Sequence, residues 1–369
     1  MPHHSSKRLN IGISGCRGIP NHYGGYEQFA QYLAQGLCQR GHDVSVYQSS
    51  LHPYQQSRWE GVKLIRKYDP EDKLGAFGQF VYDFNCLMHA RRQAFDILLQ
   101  LGYTSNTIWY PIWSRRSVQV VHLDGLEWKR SKYGPLTQRF LKKMEAIAVR
   151  EGDVLIADSL EIQELTMRNY GKPSVFIPYG ASTDIRPKTA HLQALGLTAQ
   201  HYFLAIARFV PENNLETIIK GYLASESPYP LILIGSTQTQ HGSMLQEQFQ
   251  TPNIHFLGAI FDQPVLDSLR HFARLYFHGH SVGGTNPSLL EAMACDVTIC
   301  AHQNAFNRAV LEEDAFYFNS PTEVKNAIQG VTKIEDFARW RKNNLHKITQ
   351  QYQWTTIIEQ IEQLFYQAL

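Results

Sequence analysis

Arg208 and the run Gly279-His280-Ser281-Val282-Gly283-Gly284-Thr285-Asn286-Pro287-Ser288 hold residue types that bind a phosphate or diphosphate. A guanidinium is planar and permanently charged, so it engages phosphate oxygens as a fork. Paired glycines allow a tight turn with unusual backbone angles. Asn286 and Ser288 flank Pro287, a helix-start grouping whose free N–H groups and dipole favour an anion. Glu291, about one turn further on, is close enough to meet a ribose hydroxyl. His122 and Asp124 end an apolar run and could enter a site at the end of a parallel strand. No obvious pair of catalytic carboxylates stands out, and no His or carboxylate cluster has metal-ligand spacing, so the expected chemistry uses no metal and no cofactor. Asp69-Pro70-Glu71-Asp72 reads as a solvated turn.

These residues need strands and helices to hold them. Leu9–Ser14 reads as a first strand. A helix follows with Phe29, Tyr32, Leu33 and Leu37 on one face, stopped by Gly41, and Val44–Tyr47 is the next strand. That is a βαβ opening, which implies a parallel sheet. Further strands are predicted at 62–65, 96–99, 118–121, 153–157 and 174–177, with helices around 77–94 and 135–150. A second series runs through strands at 202–206, 231–234, 253–257, 275–277 and 297–300, and the chain closes with helices at 334–348 and 354–365. Gly12, Gly15 and Gly18 do not make G-x-G-x-x-G, and the second strand ends Tyr47-Gln48-Ser49 without an acid, which argues against a dinucleotide enzyme.

Composition sets the bounds. A chain of 369 residues suggests about two domains, and 43% hydrophobic with 18% charged residues is ordinary for a globular protein. No apolar run approaches the roughly 20 residues that span a bilayer, and no leader is visible. Five cysteines without a Cys-x-x-Cys pair suit reduced thiols and a cytoplasmic setting. The net charge of +2 is uneven: residues 113–150 carry nine Lys/Arg against three acids, a local +6, while the remainder sums to −4. Arg139, Lys142 and Lys143 share one face of the predicted 135–150 helix and could meet an anionic membrane surface from the cytoplasmic side. Nothing points to nucleic acid.

The stretch from Gly283 to Ala294 resembles the signature of retaining GT-B glycosyltransferases of family 4, where two Glu residues eight positions apart precede an Ala-Met-Ala helix. Glu291 stands at the second Glu, and Gly283 replaces the first. Gly-Gly-Thr-Asn-Pro-Ser, together with Arg17-Gly18-Ile19-Pro20 and Tyr23-Gly24-Gly25-Tyr26-Glu27, is similar to the bacterial rhamnosyltransferase subgroup. The run His122 to Arg130 also resembles it, and Arg208 matches the family Arg of the donor diphosphate, with Asn213 in place of the usual Lys.

The resemblance implies two Rossmann-like domains with parallel sheets facing a cleft: 1–180 on the acceptor side, 181–350 for the nucleotide sugar, and a helix at 351–369 crossing back to the first. It implies His122, Asp124 and Arg208 at the chemistry. Gly18, Gly24, Gly25, Arg208, Asn213, Gly258, Gly284, Thr285, Asn286, Pro287, Ser288 and Glu291 would line the donor, and Tyr23, Glu27 and Glu127 the acceptor. The implied reaction moves a hexose, L-rhamnose from dTDP-L-rhamnose, to a lipid-linked saccharide of cell-surface polysaccharide synthesis with retention. A nucleotide-sugar epimerase of the same fold and a non-catalytic partner subunit are the rival readings.

Overall fold

The computed structural model describes residues 7–123, 125–130, 133–333 and 337–369. The chain divides into two compact units, one of residues 1–179 with 354–369, the other of residues 180–353.

Unit 1 is built in the order β1 (Asn10–Ser14), α1 (Gly25–Gln39), β2 (Asp43–Ser49), β3 (Arg58–Trp59), β4 (Val62–Lys67), α2 (Glu71–Leu74), α3 (Ala76–Ala90), β5 (Ile97–Leu101), β6 (Val118–Leu123), α4 (Pro135–Glu151), β7 (Val154–Ala157), α5 (Leu160–Tyr170) and β8 (Val175–Phe176). Its sheet runs β3-β4-β2-β1-β5-β6-β7-β8, parallel throughout except for the short edge pair β3–β4. Ile13 of β1 lies level with Val46 of β2 on one side and Leu99 of β5 on the other. Helices cover the sheet, so its central strands are apolar nearly without alternation. Tyr82, Cys86 and Leu87 of α3, Met144 and Ala148 of α4 and Ile162 of α5 share one core cluster with Leu98, Val121 and Leu155.

Unit 2 continues with α6 (Thr189–Gln193), β9 (Phe203–Ile206), α7 (Leu215–Ser225), β10 (Leu231–Ile234), α8 (Gln240–Gln248), β11 (Ile254–Phe256), α9 (Gln263–His271), β12 (Leu275–His278), α10 (Pro287–Ala294), β13 (Ile299–His302), α11 (Ala305–Leu311), β14 (Phe316–Phe318), α12 (Pro321–Lys333) and α13 (Ala338–Gln351). Its all-parallel sheet runs β11-β10-β9-β12-β13-β14 around a core that includes Phe203, Phe209, Ile218, Leu233 and Phe277.

The last helix, α14 (Trp354–Ala368), belongs to unit 1. Trp354 stacks on Tyr32 of α1 at 4.7 Å and meets Phe29 edge-on at 5.9 Å. Further along, Glu362 takes Arg40 at 2.8 Å and the buried His42 ring at 2.7 Å. Tyr32, expected among the inward residues of α1, thus serves as the platform for this closing helix. The closing helices expected at 334–348 and 354–365 correspond to α13 and α14. The structure has α12 ending at Lys333 and α13 beginning at Ala338, with 334–336 outside the described residues.

Candidate functional site: a welded pair of loops in unit 2 and a pinned loop in unit 1

In each sheet the strand order reverses beside a central strand, β1 in unit 1 and β9 in unit 2. Ligands of open α/β sheets bind beyond the carboxyl ends of the strands at such a switch point. In unit 2 the two loops there follow β9 and β12, and they carry Arg208 and the glycine-rich turn.

The loops are welded together. Ser281 donates twice to the Glu212 carbonyl, from its N–H at 3.0 Å and its hydroxyl at 2.8 Å. Asn214 donates from its amide to the Gly279 carbonyl at 2.9 Å. Gly279 is required by this contact, because a Cβ there would stand 2.0 Å from the Asn213 carbonyl oxygen. Gly283 has φ +129°, a conformation nearly closed to other residues, so the Glu that related signatures place here would strain the turn. Gly284 and Thr285 follow, the latter buried, and Gly258, with φ +75°, accepts the Gly235 N–H after β11.

Arg208 projects as an exposed side chain just past β9. Asn213 behaves differently from expectation. It is buried, and its amide donates to the Arg208 carbonyl at 2.8 Å, so it shapes the arginine's own loop rather than presenting a group to a donor. The start of α10 is also partly committed. The Asn286 side chain caps the helix by accepting the Ser288 N–H at 3.0 Å, Pro287 supplies no N–H, and Ser288 Oγ lies 2.6 Å from Tyr276 Oη. The anion-binding capacity expected here therefore narrows to the turn itself.

Glu291 is held by a residue the sequence reading missed. Arg270, on α9 and 1% exposed, donates from Nη2 to Glu291 Oε2 and approaches Asp267 at 3.4 Å. Burial opposes the arginine's charge, but Glu291 beside it raises its pKa. Arg270 precedes the glycine-rich turn by about a dozen residues with no motif of its own, so only the fold reveals the pairing. The turn's histidines were also unassigned: His278 is buried and stacks on His280 at 4.4 Å. Burial, then His280 nearby, lowers the His278 pKa well below the usual imidazole value, so it stays neutral at pH 7.

In unit 1 the loop after β1 is pinned from two sides. Arg17 makes a bidentate pair with Glu71, 2.9 Å from Nε and 2.6 Å from Nη2, and its guanidinium lies 3.8 Å over the exposed Tyr23 ring. The Arg17 N–H donates to Glu27 Oε1 at 2.8 Å. Glu27 is buried at the third position of α1 beneath the cap residue Gly24 and beside Gly25, so it fastens the loop rather than facing an acceptor. Burial raises its pKa, and bonds from backbone N–H groups oppose the rise. Gly18 closes the loop against Gln48. The Asp69–Asp72 segment is no solvated turn. Asp69 is 1% exposed, accepts the Ser49 hydroxyl at 2.6 Å and the Glu71 N–H at 3.0 Å, and so sets Glu71 for Arg17.

His122, at the end of β6, is wholly buried among Phe29 at 4.7 Å, Tyr179 at 5.8 Å and Tyr26 at 6.3 Å. Asp124 lies outside the described residues. Glu127 pairs with Arg130, 2.7 Å from Nε, and its N–H donates to Tyr103 Oη at 3.0 Å. Among the described residues no group of three or more His, Cys, Asp or Glu converges as a metal site, and no helix is long and apolar enough to cross a membrane.

With this geometry in place, the comparisons with known proteins are specific about fold. Residues 23–185 match the profile of Glycosyltransferase Family 4. Sucrose-phosphate synthase (tll1590) from Thermosynechococcus elongatus aligns at 18% identity over 98% of this chain and 99% of that one, with a TM-score of 0.78. Anabaena Alr3699/HepE, solved in complex with UDP and glucose, aligns at 16% identity over 98% and 100%, with a TM-score of 0.77. An alpha,alpha-trehalose 6-phosphate synthase from Burkholderia multivorans gives 10% identity, 98% and 99% coverage and a TM-score of 0.71. The search of curated proteins found no match. The fold is GT-B, two units each built on a parallel sheet, shared across nearly the whole chain.

Proposed function

We propose that this protein is a glycosyltransferase that moves a hexosyl group from a nucleoside diphosphate sugar to a hydroxyl acceptor. The observation that carries this reading is the weld between the Arg208 loop and the glycine-rich turn at the switch point of unit 2. It fixes the loop that carries an exposed guanidinium to a glycine-rich bend, an arrangement suited to two linked phosphates. The Glycosyltransferase Family 4 profile over 23–185 supports the same class, and Alr3699/HepE has been solved in complex with UDP-glucose.

In the proposed reaction the bond from sugar C1 to the diphosphate oxygen breaks as the acceptor oxygen bonds to C1. The acceptor proton passes to the departing phosphate oxygen, and both events occur on one face, which retains configuration. Arg208 and the turn stabilise the charge that develops on the diphosphate. Glu291 receives the pentose hydroxyl, and the sequence resemblance alone assigns His122 to the transferred sugar. Asn213 contributes only through the shape of the loop, so Arg208 carries the cationic share without a lysine partner. We assign the donor as dTDP-L-rhamnose and the acceptor as a lipid-linked saccharide of cell-surface polysaccharide synthesis, handled at the cytoplasmic face without metal. The sequence motifs Arg17–Pro20, Tyr23–Glu27 and Gly283–Ser288 support that choice.

The test is a melting-temperature screen against nucleoside diphosphates and their sugars, followed by transfer assays with the best donor. A ligand that binds only the native state raises the melting temperature. No shift with any nucleoside diphosphate would sink the reading. Isomerisation of the sugar without an acceptor would move it to the epimerase class.

A further inference from the structure

Helices α3 and α4 pack on the same face of the unit 1 sheet, and each follows a parallel strand, so both begin beyond its carboxyl edge. Their first turns lie side by side. Phe77 of α3 contacts Phe80 at 6.1 Å, and Phe80 contacts Phe140 of α4 at 6.1 Å. Leu136 lies one helical turn before Phe140 on the same face of α4. These tips are bare: Phe77 is 76% exposed, Leu136 80%, and Leu74, at the end of α2, 54%. Burying apolar side chains is the ordinary outcome of folding, so three bare ones at neighbouring helix ends mark an interaction surface.

Cations surround the tips. Lys73, Lys129, Arg139, Lys142 and Lys143 are exposed. Lys142 and Lys129 stand 5.0 and 5.6 Å from the Trp128 ring, whose N–H donates to the buried Glu145 carboxylate at 2.9 Å. Trp128, Pro135, Gln138, Arg139 and Lys142 line an open groove beside Leu136. The acids nearby are mostly spent: Glu71 holds Arg17, Glu127 holds Arg130, and Asp72 is the exposed exception.

We propose that this surface docks on an anionic lipid bilayer, with Leu74, Phe77 and Leu136 entering the acyl boundary and the basic ring meeting lipid phosphates. Charge complementarity selects this occupant, since Lys73, Lys129, Arg139, Lys142 and Lys143 are exposed here and Asp72 is the exposed acid beside them. The geometry agrees. Separate apolar prongs encircled by Lys and Arg, with a tryptophan at the rim, suit an interface that is apolar below and anionic above. The docking surface lies at the same sheet edge as the Arg17–Tyr23 loop, so a lipid-linked acceptor would meet unit 1 where it emerges from the leaflet. That purpose rests on the glycosyltransferase reading; the docking itself does not.

Full-length protein is sedimented with phosphatidylcholine vesicles with and without phosphatidylglycerol, at low and high salt. Binding is expected only with phosphatidylglycerol and to weaken as salt rises. Phe77→Ser with Leu136→Ser is expected to lower the partition coefficient about tenfold. Arg139→Glu with Lys142→Glu and Lys143→Glu should abolish binding. A Phe77→Trp variant should gain a fluorescence component quenched by brominated acyl chains. Equal binding to both vesicle types, no binding to either, or unchanged binding by the serine and glutamate variants would overturn the proposal. Nucleoside diphosphate binding is measured on every variant by melting temperature. Nucleotide binding without vesicle binding refutes the docking surface alone, and vesicle binding without nucleotide binding refutes the transferase reading alone.

Discussion

Arg270 reaches from the interior of unit 2 to grip Glu291, placing a buried cation behind the carboxylate assigned to the pentose. Removing one partner of a buried pair leaves an uncompensated charge and typically costs about 3–5 kcal/mol. Arg270→Met should therefore lower the melting temperature sharply, and adding Glu291→Gln should restore part of the loss. Nucleoside diphosphate affinity should fall in Arg270→Lys, while affinity for a 2′,3′-dideoxy analogue should stay at its wild-type level. Equal losses for both ligands would show that Arg270 is structural and does not orient Glu291.

Arg208 has the opposite environment, exposed and outside the core. Arg208→Ala should leave unfolding by urea unchanged while weakening diphosphate binding by about 1.5–3 kcal/mol, the range for a hydrogen bond to a charged group. Calorimetry that finds full affinity in the folded variant would remove Arg208 from the site.

Restoring the lysine of related signatures should not help this chain. Asn213 is buried and bonded to the Arg208 carbonyl, so Asn213→Lys loses that bond and places a charge where it has little water. The expected result is lower stability and weaker donor binding together. Tighter binding with intact stability would mean that the loop can open to expose residue 213.

Asp83 gives unit 1 a pH dependence. It is buried on α3 and accepts the Ser105 hydroxyl at 2.5 Å. Burial pushes its pKa from the usual carboxylate range up to about 7; the Ser105 bond opposes this, Asp69 adds to it and Arg17 opposes it. Between about pH 4 and 7 the native state keeps a proton that the unfolded chain releases, so this group's contribution to stability falls as pH rises through that window. Asp83→Asn should flatten that part of the stability profile in urea titrations. An unchanged slope would show that Asp83 ionises normally.

Transfer activity is expected to persist in excess chelator. The expectation rests on the absence of an Asp-x-Asp pair in the sequence and of a convergent ligand cluster among the described residues. Loss of activity restored by added magnesium or manganese would contradict it.

The parallel sheets were legible in the sequence because buried central strands carry continuous apolar runs, such as Ile97–Leu99 and Leu231–Ile234, with turn residues nearby. Glycine spacing likewise located the turn after β12. Long-range polar pairing was not legible. Arg270 and Glu291 are 21 residues apart and Arg17 and Glu71 are 54 apart, and no periodicity links either pair. Asp69 misled for the same reason: a proline-flanked acid looks solvated until β2 brings Ser49 beside it. Glu27, given to the acceptor side by the resemblance, is the fastener of its own loop.

The closing helix has a consequence for synthesis. Unit 2 is one uninterrupted stretch whose ends adjoin, since the Ala181 N–H donates to the Tyr352 carbonyl at 2.7 Å and Ala181 bridges Gln353. It is an insertion within unit 1, so all of it is synthesised before the helix that completes unit 1. Unit 1 cannot close earlier, because the helix that covers Phe29 and Tyr32 follows the whole of unit 2 in sequence. During synthesis the chain thus carries the whole of unit 2 before the apolar seam of unit 1 can be covered.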